Sequence, residues 1–175
     1  KWLLAPKGAA FLHVRPEHHG FIQPLVVSWG WGENCPYQAD TRLQALLEWW
    51  GTKDPAAYFS VPAAIGFQKK HKWGEVRKHC RELLADCLGE IEGLTSKPSI
   101  YPAEEQNYIQ LGAALLPRES RPEELQLWLY QQHRIEIPVI QWEGHWLIRP
   151  SVQGYNSRED LDLLVRALGE YLGRA

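Results

Sequence analysis

The 175-residue sequence contains no methionine, only three cysteines and no long uninterrupted apolar run. Because a membrane-spanning helix needs about 18 or more apolar residues, no span is predicted, and the opening stretch Lys1–Leu4 is too short for a signal peptide. The cysteines lack the spacing of a zinc ribbon and are too few for a disulfide framework. These absences predict a cytoplasmic protein without membrane association. The missing methionine favours a fragment or a processed product.

The sequence also lacks an excess of charge of either sign. The formal net charge is -2 at pH 7, and the most basic patch, at positions 69–72, suits a solvated helix end. No nucleic-acid partner is therefore predicted. No histidine pair has the spacing of metal ligands, since His18 and His19 are adjacent and His71 and His79 lie on separate turns, so no metal site is predicted either.

Apolar patterns in the first part predict short strands and one helix. Gly8–Val14 is a strand candidate that ends before a proline, and Leu25–Val27 is a second extended segment. The segment Ser28–Gly32 predicts a flexible aromatic loop. A helix is expected over Pro55–Lys70.

A longer helix is predicted from Trp73 to about Ile91, because its apolar residues recur at the helical period. Cys80 and Cys87 share this face and are expected to be buried. The glycine- and proline-containing break over 93–98 marks a domain boundary. The sequence therefore predicts two domains, residues 1–93 and residues 94–175.

The second part reads as a compact α+β unit. A turn at Glu143-Gly144 separates two predicted strands, and each of the two helices has a capping-box pattern at its start. The predicted elements are a strand Tyr108–Leu116, a helix Ser120–Gln132 whose box spans Ser120 and Glu123, strands Ile135–Trp142 and His145–Ser151, and a final helix opened by Asn156-Ser-Arg-Glu159.

The segment Lys1–Arg15 contains a residue that could react with a carbonyl compound. Lys1 heads it, and a Pro-Lys-Gly turn and a Phe-Leu-His-Val run follow. A lysine amine attacks an aldehyde only when it is unprotonated, so such lysines occupy dry or cation-rich pockets that lower the pKa. By its position alone, Lys1 is a solvated terminal lysine.

Gly51 and Thr52 precede a predicted helix whose first turn contains Pro55. Backbone amides and a hydroxyl at such a place can bind an anion, because the amino end of a helix carries partial positive charge. The alternative is an ordinary helix that Asp54 caps.

Arg149 lies at the end of a predicted strand, in the run Arg149-Pro-Ser151, and Tyr155-Asn156 follow shortly after. Its planar guanidinium can donate two parallel hydrogen bonds to a carboxylate and does not lose its proton. The alternative is a surface arginine paired with a glutamate.

Together these motifs resemble those of the class V aminotransferase family of pyridoxal-phosphate (PLP) enzymes, most closely its isopenicillin N epimerase-like members. The opening segment resembles the family's cofactor-lysine segment. Gly-Thr-Lys-Asp-Pro, at 51–55, is similar to its Gly-Thr-Arg-Asp-Pro signature, and the run at 149–156 resembles its Arg-x-Ser and Tyr-Asn signature. The resemblance extends over essentially the whole chain.

The resemblance implies an α/β protein with the aspartate-aminotransferase-like fold, in which 1–93 complete a large domain and 94–175 form a small α+β domain. It implies that Lys1 forms the Schiff base with PLP, and that Gly51 and Thr52 bind the cofactor phosphate of the partner subunit in a homodimer. Arg149 is implied to hold the α-carboxylate of an amino-acid substrate.

The resemblance also implies that the groups around the PLP ring precede Lys1. A missing amino-terminal segment of the same enzyme is therefore an expected partner, and the isolated chain is expected to be inactive. Epimerisation, transamination and elimination at the substrate α-carbon all stay open. A cysteine desulfurase is disfavoured, because residues 130–139, where such relatives carry their cysteine, contain none.

Two other classes of function stay open. The nine tryptophans could form the platform of an aromatic-rich ligand-binding module without a cofactor. A catalytically silent relative, used as an interaction partner, is the second alternative.

Overall fold

The computed structural model of the chain describes residues 2–37, 39–102, 107–118 and 120–173. They form two compact units, Lys1–His71 and Lys72–Ala175. A 3₁₀ helix, Pro16–Phe21, comes first. The α-helices are α1 Arg42–Leu47, α2 Ala56–Phe59, α3 Val61–Lys70, α4 Trp73–Thr95, α5 Pro122–His133 and α6 Arg158–Leu172, and the strands are β1 Ala114–Leu115, β2 Val139–Trp142 and β3 His145–Ile148.

The first unit consists of loops and short helices. The strands predicted over Gly8–Val14 and Leu25–Val27 do not form, and these predictions are wrong for the structure. A strand needs a neighbouring strand for its backbone groups, and the described residues of this unit provide none. Their apolar side chains are therefore exposed, Phe11 at 93% and Leu25 completely. The helix predicted over Pro55–Lys70 is present but interrupted between α2 and α3.

The aromatic loop Ser28–Gly32 is held against α1 by its central glycine. A Cβ atom on Gly30 would lie 1.5 Å from the carbonyl oxygen of Ala45, so only glycine allows this approach. The Arg42 guanidinium donates a 2.6 Å hydrogen bond to the Gly30 carbonyl oxygen. The backbone of this loop is thus fixed to the helix that precedes the Gly51-Thr52 segment.

In the second unit, α4 confirms the longest predicted helix and continues about one turn beyond it. Its buried face contains both predicted cysteines, Cys80 and Cys87. This face packs against α6 and β1. The second unit begins at Lys72, so it contains the whole of α4. The boundary near Gly93 concerns the domains of the intact protein and stays a prediction.

The sheet has the order β1-β3-β2 with antiparallel pairs. The predicted turn at Glu143-Gly144 is confirmed, with positive φ angles of 47° and 77° that suit a two-residue hairpin turn. The strands are shorter than predicted. Proline has no N–H to donate, so β2 begins only after Pro138 and β3 ends before Pro150.

Helices α5 and α6 complete the core of this unit. A capping box starts α6, but it joins Ser157 and Asp160, one position later than predicted. The box predicted for α5 is wrong, because the helix begins with a proline and its cap is Arg121. The Ser120 hydroxyl is buried, and no residue in the described ranges forms a hydrogen bond with it. The largest fully buried core side chains are Leu84, Ile91, Leu125, Leu129, Ile148, Val152 and Leu168, with Cys80 and Cys87.

On the surface, Arg158 of α6 ties this helix to α4. Its guanidinium pairs with Asp86 at 3.1 Å and with Glu90, both on α4, and with Asp162 on its own helix at 2.7 Å. No helix in the described ranges is long and apolar enough to cross a membrane. Within the same ranges, no cluster of three or more His, Cys, Asp or Glu residues could hold a metal ion.

Gly30→Ala should destabilise the first unit by about 1–3 kcal/mol, because the added methyl group overlaps a backbone atom that cannot move independently of α1. Limited proteolysis of the Ser28–Gly32 loop and equilibrium unfolding would measure this. Gly20→Ala is the matched control, since a Cβ there meets nothing within 4 Å. Equal stability of the two variants would contradict the packing of this loop.

Thiol labelling should distinguish the accessible Cys35 from the buried Cys80 and Cys87. Burial, with a smaller effect of Glu90, raises the pKa of the Cys87 thiol to about 12, and burial also raises the pKa of Cys80. Both thiols are therefore protonated as well as inaccessible at pH 8. Iodoacetamide should modify only Cys35 in the folded protein and all three after unfolding, as mass spectrometry would show. Labelling of Cys87 before unfolding would contradict the described core.

Candidate functional site

Arg149 follows β3 directly and is half-buried. Its backbone N–H donates a 3.0 Å hydrogen bond to the carbonyl oxygen of Pro138, which fixes it opposite the segment that leads into β2. The side-chain Nε atom is buried and has no hydrogen-bond partner among the described residues. Among the described residues, no carboxylate pairs with the guanidinium, so the alternative of an arginine paired with a glutamate has no partner there.

Arg149 lines a cleft of about 320 Å³ within the second unit. Three segments form the cleft: the loop from α5 to β2, the residues just after β3, and the first turns of α6. Its apolar side includes Leu161 and Leu164, which are buried in the core. The lining residues are His133 to Pro138, Arg149 to Ser151, Asn156, Asp160, Leu161, Leu163 and Leu164.

The other titratable residues that line this cleft are His133, Arg134, Glu136 and Asp160, and two of them contact neighbouring groups. The Asp160 carboxylate accepts a 3.0 Å hydrogen bond from the Ser157 backbone N–H, so the capping box occupies it. The His133 ring is 3.5 Å from the Glu170 carboxylate on α6. Arg149 therefore contributes to the cleft a positive charge that is not paired with a carboxylate among the described residues, although the Glu136 carboxylate lines the same cleft. A carboxylate has the charge and the two acceptors that this group requires.

Gly51 and Thr52 lie in the loop between α1 and α2. Gly51 has a φ angle of +126°, a conformation that a side chain would strain. Thr52 is exposed. The Asp54 carboxylate accepts a 2.9 Å hydrogen bond from the Ala56 backbone N–H. This hydrogen bond agrees with the Asp54 alternative, although the cap position of the four-residue α2 is Pro55. Anion binding by Gly51 and Thr52 stays a prediction.

Lys53 is a functional candidate that the sequence analysis missed. Its ammonium lies 4.6 Å from the centre of the Trp50 ring and 5.0 Å from that of Tyr58, and it donates a 3.4 Å hydrogen bond to the Tyr58 hydroxyl. The sequence signal that could have identified it is a lysine with Trp50 three residues before it and Tyr58 five residues after it. Whether both rings would turn towards the ammonium depends on the loop conformation, which the sequence pattern does not specify.

The predicted cofactor lysine, Lys1, lies outside the described residues. Its neighbour Trp2 is tied to the rest of the first unit, because the Gln68 side-chain amide on α3 donates a 3.0 Å hydrogen bond to the Trp2 carbonyl oxygen. Gly51 and Thr52 belong to the first unit and Arg149 to the second.

Two curated proteins match this chain in sequence. Isopenicillin N epimerase of Amycolatopsis lactamdurans is 34% identical over 97% of the chain and 44% of its own length. Isopenicillin N epimerase of Streptomyces clavuligerus is 30% identical over 99% of the chain and 46% of its own length. The chain thus spans less than half the length of these relatives. No family model matches the chain.

Solved structures show the fold. A NifS-like protein superposes with a TM-score of 0.61 over 88% of this chain and 40% of its own, at 19% identity. Alanine–glyoxylate aminotransferase from Nostoc sp. superposes with a TM-score of 0.53 over 71% of this chain and 33% of its own, also at 19% identity. The predicted aminotransferase-like fold is therefore confirmed. The resemblance that the motifs suggest is confirmed as well: this chain is an isopenicillin N epimerase-like relative in the class V aminotransferase family of PLP enzymes.

Proposed function

We propose that this chain is part of a PLP-dependent enzyme that acts on the α-carbon of an amino acid, with epimerisation as its reaction. The observation that carries the proposal is the Arg149 guanidinium, which lines a cleft without an ion-pair partner among the described residues and with a buried, unpaired Nε donor. The names of the two sequence relatives support epimerisation over transamination or elimination.

Arg149 binds the substrate carboxylate in this proposal. A buried donor without an acceptor costs free energy, and a bound carboxylate removes that cost while it gains a charge-assisted hydrogen bond. The bond between the Arg149 N–H and the Pro138 carbonyl oxygen limits the movement of the arginine backbone. The carboxylate is therefore held in one place, and this orients the bonds around the α-carbon.

The segment 51–53 has the donor chemistry that the PLP phosphate requires. The Thr52 hydroxyl is exposed and has no described partner, Gly51 carries no side chain over its backbone, and the ammonium of Lys53 lies next in sequence. Asp54, the nearest carboxylate in sequence, is engaged by the Ala56 amide. Gly51 and Thr52 would hold the phosphate. Bound PLP supplies an electron sink for the bond that breaks at the α-carbon.

Lys1 is the proposed residue that would hold PLP covalently through its Nζ atom. Once the amine of the substrate has displaced it from the cofactor, the freed Nζ would take the proton from the substrate α-carbon. Both roles require the neutral amine, so the intact site must lower the Lys1 pKa by burial or by nearby cations. Epimerisation further requires that a proton return to the opposite face of the α-carbon, which a single base on one face does not supply.

Two macromolecular partners belong to this proposal: a second copy of the enzyme, whose cofactor Gly51 and Thr52 would reach, and a polypeptide segment of the same enzyme that precedes Lys1. The exposed apolar side chains of the first unit support the need for covering partners, since soluble monomers rarely expose large apolar patches. They include Phe11, Leu12, Phe21, Leu25, Trp29 and Phe59.

The absorbance spectrum of the intact protein with PLP tests the function. We expect a cofactor band displaced from that of free PLP, and we expect it to be lost in Lys1→Ala, because the variant has no amine to bond to the aldehyde. Lys7→Ala, at an exposed lysine of the same segment, is the control and should keep the band. No displaced band in the unsubstituted protein would refute the proposal and favour a ligand-binding module or a silent relative.

Arg149→Ala should weaken the binding of amino acids to the PLP-loaded protein by about tenfold or more and leave the cofactor band in place. Arg149→Lys should recover only part of the affinity, because lysine keeps the charge but lacks the planar fork. Spectral titration with an amino acid measures both. Arg166→Ala is the matched control, since Arg166 is an exposed arginine of α6 outside the cleft. Unchanged affinity in Arg149→Ala would rule out this role.

A further inference from the structure

The Lys53 ammonium, between the Trp50 and Tyr58 rings, adjoins the proposed phosphate-binding pair in sequence. We propose that Lys53 is a further phosphate-binding residue that acts with Gly51 and Thr52. This inference rests on the proposed function, because it takes these two residues as phosphate ligands. It adds to that function a third ligand and the two aromatic side chains that position it.

The contacts of Lys53 fix its ammonium without neutralising it. The ring faces attract the cation through their quadrupoles, and the Tyr58 oxygen accepts one of its three N–H donors. In the part of the chain that the structure describes, Lys53 forms no ion pair. It therefore keeps its full charge and two donors, while the rings restrict a side chain that is otherwise flexible. An anion that binds it loses less conformational entropy than one that must order a free lysine.

The carboxylates around this loop are engaged elsewhere. Asp54 accepts the Ala56 amide at 2.9 Å, and Glu48 accepts a 3.4 Å hydrogen bond from the Tyr37 hydroxyl. The loop thus combines the ammonium of Lys53 with the Thr52 hydroxyl, which has no partner among the described residues. Phosphate is the anion that suits this set, since it carries close to two negative charges at pH 7 and offers three acceptor oxygens. Lysine serves such a group as a compact point charge.

A comparison of PLP with pyridoxal, which lacks the phosphate, tests the proposal in the intact protein. Lys53→Met keeps the length of the side chain but removes its charge. We expect it to weaken PLP binding by about ten- to a hundredfold and to leave pyridoxal binding unchanged, because only the phosphate meets the ammonium. Lys53→Arg should restore most of the PLP affinity. Fluorescence titration of the apoprotein measures these affinities, and Lys70→Met, at an exposed lysine of α3, is the control.

Trp50→Leu and Tyr58→Leu should each weaken PLP binding less than Lys53→Met does, because they free the ammonium without removing it. If Lys53→Met weakens the binding of PLP and of pyridoxal equally, or changes the binding of neither, the inference is wrong. The proposed function is not affected by that result. Inorganic phosphate, titrated alone by calorimetry, separates the remaining cases. Phosphate binding that depends on Lys53 without PLP binding supports the phosphate site and refutes the proposed function. Absence of both refutes the two together.

Discussion

Burial of the apolar face of α4 is the interaction on which the second unit depends. Each leucine or isoleucine removed from water there contributes about 1.5–3 kcal/mol, and the face contains Leu84, Leu88 and Ile91 with almost no exposure. The ion pairs of Arg158 join the same helices at the surface, where solvent weakens them. Packing therefore sets the position of α6 against α4, and the ion pairs add orientation.

The candidate carboxylate site follows from that packing. Leu161 and Leu164 are core residues of α6, and they also line the cleft beside Arg149. Helix α6, which is held in place by its apolar face, thus forms one side of the cleft. The hydrogen bond from the Arg149 N–H to the Pro138 carbonyl oxygen fixes the backbone of the arginine that lines it. The prolines at 138 and 150 have a direct role here, because they end the ladder of β2 and β3 and leave Arg149 outside regular pairing. The arginine is fixed in its backbone, and its half-buried side chain has no ion-pair partner among the described residues.

The two proposed anion sites hold their cations by different physical means. Arg149 depends on burial, which makes an unpaired donor costly and a bound carboxylate favourable. Lys53 is exposed, so its position depends on two aromatic rings and one hydroxyl. A buried site of the first kind selects the shape and charge of its ligand. An exposed site of the second kind contributes charge, and its effect should weaken as ionic strength rises.

Sequence patterns predicted the local features of the second unit well. The apolar face of α4 and the turn at Glu143-Gly144 depend on residues that are close in sequence. The helical period of the apolar residues was therefore enough to predict the first, and the dipeptide was enough to predict the second. The start of α5 was misplaced because proline at its first position outweighed a capping pattern around Ser120. The contacts of Lys53 and the bond from Arg149 to Pro138 depend on how loops close, and no short pattern encodes them. The motifs did single out Arg149 and the Gly51-Thr52 pair, whose roles stay predictions.

The strand prediction at Gly8–Val14 failed for a different reason, and the failure is informative. The segment has the apolar composition of a strand, yet its side chains are exposed and its backbone has no neighbouring strand within the described residues of its unit. The residue preferences of a segment make it able to form a strand, but the strand forms only where a neighbouring strand pairs with it. A strand over 8–14 would therefore need a neighbouring strand from outside the described residues of this unit.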